Sequence, residues 1–278
     1  MFFLLYRYNG YMNGYRGVIE VKEPSHGYDV IGDVHGCADE LENLLGVLGY
    51  RNEDGVFVHP DGRRAVFLGD LTDRGPDSLR VLEIVMKMTQ SGNAYCVLGN
   101  HDDKLMRYLK GNPVKTINGL ETTVKEFEKT DSAYREKVLK FLEGLPYYLL
   151  LNQGRLVVSH AGIREEMIGK ESSAIRRFCL YGDITGKTLE DGFPERRDWA
   201  KDYYGDGFVV FGHTPHPKVT RYPNAVNIDT GCVFGGRLTA YRYPEKELSQ
   251  VCPKTRYAFN PRFEKPAEIP PVNPKVKW

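Results

Sequence analysis

Seven short apolar runs, each of strand length and most of them stopped by a glycine-bearing polar turn, recur between residues 28 and 245, and they constrain the fold more than any other feature. They are YDVIGDVH, RAVFLGD, AYCVLGN, RLVVSHA, FVVFGHT, AVNIDTG and LTAYRYP, rich in the β-branched and aromatic residues that suit a pleated surface. Helical patterns separate the early runs. Residues 38–48 carry Leu41, Leu44, Leu45 and Leu48 on one face, and residues 78–88 carry Leu79, Leu82, Val85 and Met86. Longer helical stretches are expected around 102–110 and 121–142. Strands alternating with helices predict an α/β architecture with at least part of the sheet parallel. No internal repeat or composition break interrupts 28–245, so this stretch reads as one domain.

The flanks read differently. Residues 1–27 are rich in Tyr, Gly and Asn without period and are expected to form a poorly ordered extension. Residues 246–278 turn charged and then proline-rich (Pro253, Pro261, Pro266, Pro270, Pro271 and Pro274), which predicts a wrapping or flexible tail with little helix. The 38 basic and 37 acidic residues leave a formal charge of +1, so no whole-molecule field draws the protein to nucleic acid or membrane. Five cysteines, an odd number with no C-x-x-C pair, argue against a disulfide framework and a zinc knuckle. The apolar burst before Arg7 is shorter than a secretory core, and no later run is long enough to span a membrane. A cytoplasmic protein is expected.

In an open α/β sheet, ligands gather where strands end at their carboxyl side. Five strand ends here carry chemistry: Asp33 and His35 in GDVHG, Asp70, Asp73 and Arg74 in GDLTDRG, Asn100 and His101 in GNHD, His160 in VSHAG, and His213 in FGHTPH. Any one could be a turn residue or a core histidine. Four of the seven histidines in the chain occupy such ends, which makes coincidence a poor account of the set. Carboxylate, imidazole and amide oxygen are ligands for divalent transition metals, and a cluster of them can hold two ions. A two-metal centre needs an anionic bridge, and Asp70 is the natural candidate.

In content and order, GDVHG, GDLTDRG, GNHD and the two isolated strand-end histidines resemble the metallophosphoesterase fingerprint in the form used by the phosphoprotein phosphatase branch, over residues 28–245. The resemblance implies the calcineurin-like fold, two mixed β-sheets packed as a sandwich and flanked by helices. It implies two divalent transition-metal ions, drawn from Mn, Fe, Ni, Co and Zn. Asp33, His35 and Asp70 would hold the first, and Asp70, Asn100, His160 and His213 the second. His101 would be the general acid, oriented by Asp73, and Arg74 would clamp a phosphate oxygen. Asp229, in NIDTG, would stand behind a liganding histidine. A water activated between the ions would attack phosphorus in line, and His101 would protonate the departing oxygen.

The segments LKGNPVKTINGLETT, HAGIR, LYGDITGKT, RRDWA and NIDTGCVFGG resemble a bacterial subgroup described as bis(5'-nucleosyl)-tetraphosphatases of the asymmetrical type. They also resemble the phosphatase module of bacterial polynucleotide kinase-phosphatase, whose kinase phosphate loop, G-x-x-x-x-G-K-[ST], this sequence lacks. The implied reaction cleaves a small-molecule nucleotide, a dinucleoside tetraphosphate, into a nucleoside triphosphate and a monophosphate. The alternatives are a protein Ser/Thr phosphatase acting on phosphoproteins, or a 2',3'-phosphatase acting on nucleic-acid ends. Residues 110–130 and 180–204 are expected to border the metals, with Lys110 and Lys115 as candidates for outer phosphates. Arg164, Arg196 and Arg197 all lie between His160 and His213, and any of them could be a further substrate arginine.

Overall fold

The structure, a computed structural model, describes residues 19–21, 26–189, 194–264 and 276–277. All seven apolar runs form strands, and among the described residues they join five further strands in two six-stranded mixed sheets packed face to face. In the first sheet the order is Val276–Lys277, Glu247–Val251, Leu238–Tyr243, Tyr28–Ile31, Arg64–Phe67 and Ala94–Cys96, with the last three mutually parallel. The second orders Ile19–Glu20, Tyr148–Leu151, Leu156–Ser159, Phe208–Phe211, Ala225–Asn227 and Thr220–Arg221. Its three central strands, Leu156–Ser159, Phe208–Phe211 and Ala225–Asn227, are also parallel. The calcineurin-like sandwich expected from the sequence is the fold observed.

The period of two along each strand divides its side chains between layers. Val30, Val66 and Tyr241 from the first sheet meet Leu149, Val158, Val210 and Val226 from the second in the central layer. Their sequence neighbours Ile31, Phe67 and Ala240 face the helices instead. Tyr28–Ile31 and Leu156–Ser159 are buried along their whole length, which is why both read as unbroken apolar runs.

Among the described residues six α-helices cover the sheets: α1 (Ala38–Leu48), α2 (Ser78–Gln90), α3 (Asn100–Leu109), α4 (Leu120–Phe127), α5 (Ser132–Gly144) and α6 (Ser173–Tyr181). α1 buries Leu41, Leu44, Leu45 and Leu48 and stops at Gly49, whose φ of 102° lets the chain turn back while Tyr50 N–H closes on Leu45 O. The continuous helix expected over 121–142 is two helices. Asp131 accepts the Tyr134 N–H at 2.7 Å and so starts α5, after Thr130 N–H has closed α4 on Phe127 O.

Of the expected N-terminal extension, residues 1–18 and 22–25 lie outside the described residues, while Ile19–Glu20 pairs in parallel with Leu149–Leu150. The expected boundary at 245 falls between two paired strands, because Leu238–Tyr243 and Glu247–Val251 form an antiparallel ladder. Beyond it, Lys254 N–H and the Tyr257 hydroxyl both donate to Glu40 Oε1 on α1 at 3.0 Å. Pro261–Phe263 forms one 3-10 turn capped by Asn260, and Phe263 is buried with its ring 5.8 Å from Phe234. Residues 265–275 and 278 lie outside the described residues. Among the described residues no helix is long and apolar enough to cross a membrane.

Candidate active site

The carboxyl ends of the parallel strands feed loops whose backbone is held in an unusual conformation. Ten non-glycine residues among those described have positive φ, and five of them are His35 (47°), Asp70 (47°), Asp73 (77°), Arg74 (71°) and His213 (70°). Such conformations cost on the order of 1 kcal/mol or more each and persist only where neighbours over-determine them. Here the loops brace one another. Val34 and His35 donate their N–H groups to Asp70 O at 3.2 and 2.8 Å, and His213 N–H donates to Asp33 Oδ2 at 3.1 Å.

Two groups of potential ligands share Asp70: His35, Asp70 and His101 form one, and Asp70, His160 and His213 the other. Asp70 Oδ2 lies 3.5 Å from His35 Nε2, and its Oδ1 lies 3.5 Å from His160 Nε2. Asn100 Oδ1 sits 2.9 Å from His160 Nε2 and 2.8 Å from His213 Nδ1. Asp33 reaches the same place through His213, and its buried Oδ1 has no hydrogen-bond partner. All six residues expected to ligate metal are thus in one cluster. His101 also falls within ligand distance of the first group, a placement the sequence did not suggest.

The donor chemistry fits cations. His35 Nδ1 is 2.8 Å from Thr72 O and His160 Nδ1 is 2.9 Å from Leu68 O, so each Nδ1 carries the proton and each Nε2 turns a lone pair inward. Around His160 Nε2 this leaves lone-pair acceptors facing one another at about hydrogen-bond distance, with the Asn100 oxygen at 2.9 Å. A cation satisfies all of them at once. Burial, then the charges of Asp229 and Asp70, hold the Asp33 carboxyl well above its usual range, and burial raises Asp70 and Asp229 to about 7. Burial pushes His160 down to about 3 and holds His35 and His213 well below the ordinary imidazole value. Neutral imidazoles and mutually repelling carboxylates are the state that divalent ions complete.

Beside the cluster, His101 Nδ1 meets Asp73 Oδ2 at 2.6 Å, and the Thr123 hydroxyl donates to the other oxygen of Asp73 at 2.6 Å. Burial raises Asp73 to about 6, and burial with the Arg74 charge keeps His101 well below the usual imidazole value. Arg74 directs its two terminal nitrogens into the site, one 2.6 Å from His35 Nε2 and the other 2.8 Å from His101 Nε2. Its guanidinium lies 5.4 Å from the centre of the Phe234 ring.

Several supporting residues escaped the sequence reading. Asp102, the last residue of GNHD, is fully buried and accepts Leu71 N–H and Gly99 N–H, both at 3.0 Å. It locks the Asp70 loop to the start of α3, so that Asp70, Asn100 and His101 move as one unit. Its position three residues after Gly99 is a capping pattern that could have revealed it. Gly119, Thr122 and Thr123, at the start of α4, hold the Asp73–Arg74 turn. Arg74 N–H reaches Gly119 O at 3.2 Å and Thr122 Oγ1 at 3.0 Å, and Asp73 N–H reaches Thr123 Oγ1 at 3.0 Å. A Cβ on Gly119 would sit 2.3 Å from Arg74 Cγ. Nothing local in GLETT announces this contact.

Other expectations need correction. Asp229 stands beside Asp33, but its carboxylate accepts Gly231 N–H at 3.0 Å. His35 and His160 are oriented instead by the backbone carbonyls of Thr72 and Leu68. Lys110 is paired with Glu143 at 2.6 Å rather than turned to the site. Arg164 and Arg197 both lie against Asp183, at 2.5 and 3.6 Å. Arg196, in the hairpin Asp183–Thr188/Pro194–Arg197, donates to Tyr181 O at 2.8 Å and has no carboxylate partner among the described residues; its charge contributes to lowering His160 and His213.

Residues 28–241 match the calcineurin-like phosphoesterase family. The chain is 51% identical over 228 residues to a protein of Anoxybacillus flavithermus named bis(5'-nucleosyl)-tetraphosphatase PrpE [asymmetrical], covering 81% of this chain and 93% of that one. It is 50% identical to the protein of that name from Bacillus subtilis, with the same coverage. It also resembles a solved structure described as that of "a putative diadenosine tetraphosphatase", with a TM-score of 0.65, 26% identity, and coverage of 86% of this chain and 98% of that chain.

Proposed function

The chain belongs to the calcineurin-like phosphoesterase family, and from that premise we propose that it hydrolyses dinucleoside tetraphosphates asymmetrically, giving a nucleoside triphosphate and a nucleoside monophosphate. The observation that carries the phosphohydrolase reading is the sharing of Asp70 between two ligand groups. The substrate follows from relatives half identical to this chain over most of its length.

Asp33, His35 and Asp70 would hold one divalent ion, and Asp70, Asn100, His160 and His213 the other; the mixed nitrogen and oxygen set suits Mn, Fe, Ni, Co or Zn. When bound, the ions neutralise phosphoryl oxygens and make a water nucleophilic near neutral pH. Arg74 binds a non-bridging oxygen of the phosphate under attack, and in doing so withdraws from His101 Nε2. His101, neutral in the site, would take up at Nε2 the proton that the attacking water gives up and pass it to the departing oxygen, while Asp73 holds Nδ1 and fixes the ring. Water adds to the phosphorus next to one nucleoside, the bond to the bridging oxygen breaks, and triphosphate leaves with that oxygen. Arg196, uncommitted to any described carboxylate, is the second arginine of the site.

A second reading, hydrolysis of phosphoserine or phosphothreonine in proteins, is favoured by the complete His101–Asp73 pair, because an alkoxide leaving group needs an acid more than a phosphate does. Metal-reconstituted protein given dinucleotides and phosphopeptides in parallel, with products identified by mass, decides between them. Triphosphate plus monophosphate from the dinucleotide supports the first reading. Inert dinucleotide with rapid phosphate release from peptide would replace it by the second. The free cysteines support a reducing compartment, the cytoplasm.

A further inference from the structure

A cation outside the expected set approaches the site from a part of the chain that the family match does not reach. Arg262 lies beyond residues 28–241 and is brought back by the C-terminal segment. Phe263 anchors it: the ring is buried, it fills the space a Cβ on Gly231 would need, and it packs on Phe234. Phe234 in turn lies under the Arg74 guanidinium, so an aromatic stack fixes the Arg262 segment relative to the phosphate clamp. Arg262 donates to Pro215 O at 3.3 Å, two residues beyond His213. This places its guanidinium over the loop that carries a candidate metal ligand.

Arg262 is exposed and forms no ion pair among the described residues. It borders the His213 loop, and Arg196 borders the His160 loop, where its Cδ and Ala161 O would both meet a Cβ on Gly182. His160 Nε2 and His213 Nδ1 are 3.0 Å apart, so the two arginines flank one pair of candidate ligands and their charges act on each other. Two guanidiniums within electrostatic reach, neither neutralised by a described carboxylate, repel each other unless an anion joins them. Arg74 and the Asp70 centre address one phosphate, whereas a tetraphosphate bridge carries three more, each charged.

We propose that Arg262 and Arg196 form a seat for the outer phosphates of a polyphosphate chain, beyond the phosphate held at Arg74. The seat rests on the polyphosphate reading of the site, and it makes the C-terminal segment a determinant of chain-length preference. It favours substrates with several linked phosphates over monoesters and holds the departing triphosphate until the bond has broken.

Calorimetric titration of the metal-loaded protein with inorganic phosphate and with inorganic tripolyphosphate tests this without any nucleotide. Metal content is measured beside each titration, because tripolyphosphate can chelate. Wild-type protein should bind tripolyphosphate more tightly than phosphate. Arg262→Ala should weaken tripolyphosphate by on the order of 10-fold, the worth of one hydrogen bond to a charged group, and weaken phosphate far less. Arg262→Lys should recover most of the loss, and Phe263→Ala should weaken tripolyphosphate by releasing the segment while leaving the charge in place. Equal losses for both anions, or no loss in Arg262→Ala, would overturn the proposal. A dinucleotide that is not cleaved would sink the substrate reading instead and leave the titration result standing.

Discussion

His101 Nδ1 and Asp73 Oδ2 meet at 2.6 Å with both side chains almost wholly removed from water. The contact fixes which nitrogen of His101 faces the substrate, and it makes the importance of His101 depend on what leaves. A serine alkoxide needs a proton as the bond breaks, whereas a departing nucleotide ends in a phosphate whose last pKa is about 6. His101→Ala should slow hydrolysis of a phosphoserine peptide by ~100 to 10,000-fold, the usual range for a general acid, and slow dinucleoside tetraphosphate cleavage much less. Parallel rate measurements on the two substrates check this, and equal losses would reassign His101 to phosphate binding.

Asp70→Asn should lower the content of both metals and remove most activity. The carboxylate lies 3.5 Å from a histidine of each group, and the amide that replaces it carries no charge to oppose two cations. His35→Asn should deplete chiefly one metal. Elemental analysis of the purified variants is the measurement, and two ions bound to Asp70→Asn with wild-type affinity would exclude Asp70 as the bridge.

Arg74→Ala should raise the activation barrier by about 2 to 4 kcal/mol, as loss of one preorganised charge-stabilising donor does elsewhere. Metal content should stay at the wild-type level, since the guanidinium faces the ligand set without belonging to it. Gly119→Ala should reproduce part of this loss from outside the site, because its Cβ would displace the Arg74 side chain. Steady-state kinetics together with metal analysis separate the clamp from the ligands; a Gly119→Ala variant with wild-type kinetics would mean that α4 does not set the position of Arg74.

The gain in melting temperature on adding manganese should grow as pH rises from about 6.5 to 8. Burial raises Asp70 and Asp229 to about 7 and Asp102 to about 8, so in metal-free protein the folded chain keeps protons that the unfolded chain has lost. Folded stability therefore falls as pH rises through these values. The lowered histidines act in the opposite sense, but their contribution is complete once pH exceeds the unfolded imidazole value of about 6.5. Divalent ions replace the carboxyl protons, and so their effect increases where the protons are lost. Thermal melts with and without the ion across this range measure it, and a gain independent of pH would show that these carboxylates are not relieved by the metal.

Much of the site is legible in the sequence because each part of it is local. A strand of apolar residues ends, a turn follows, and the side chain at the turn is exposed to whatever gathers there; Asp33, His35, Asp70, Asn100, His160 and His213 each sit within a few residues of such an end. The alternating strand and helix pattern likewise determines the α/β class. Tertiary structure decided what depends on contacts between distant segments. Thr123 holds Asp73 from fifty positions away, Asp102 ties two strand ends together, and Asp183 occupies two of the three candidate arginines and leaves Arg196 uncommitted. The C-terminal segment reads as a proline-rich tail because proline excludes helix. Only the packing of Phe263 on Phe234 brings Arg262 to the site, since apolar burial across sequence distance leaves no periodic signal in the chain.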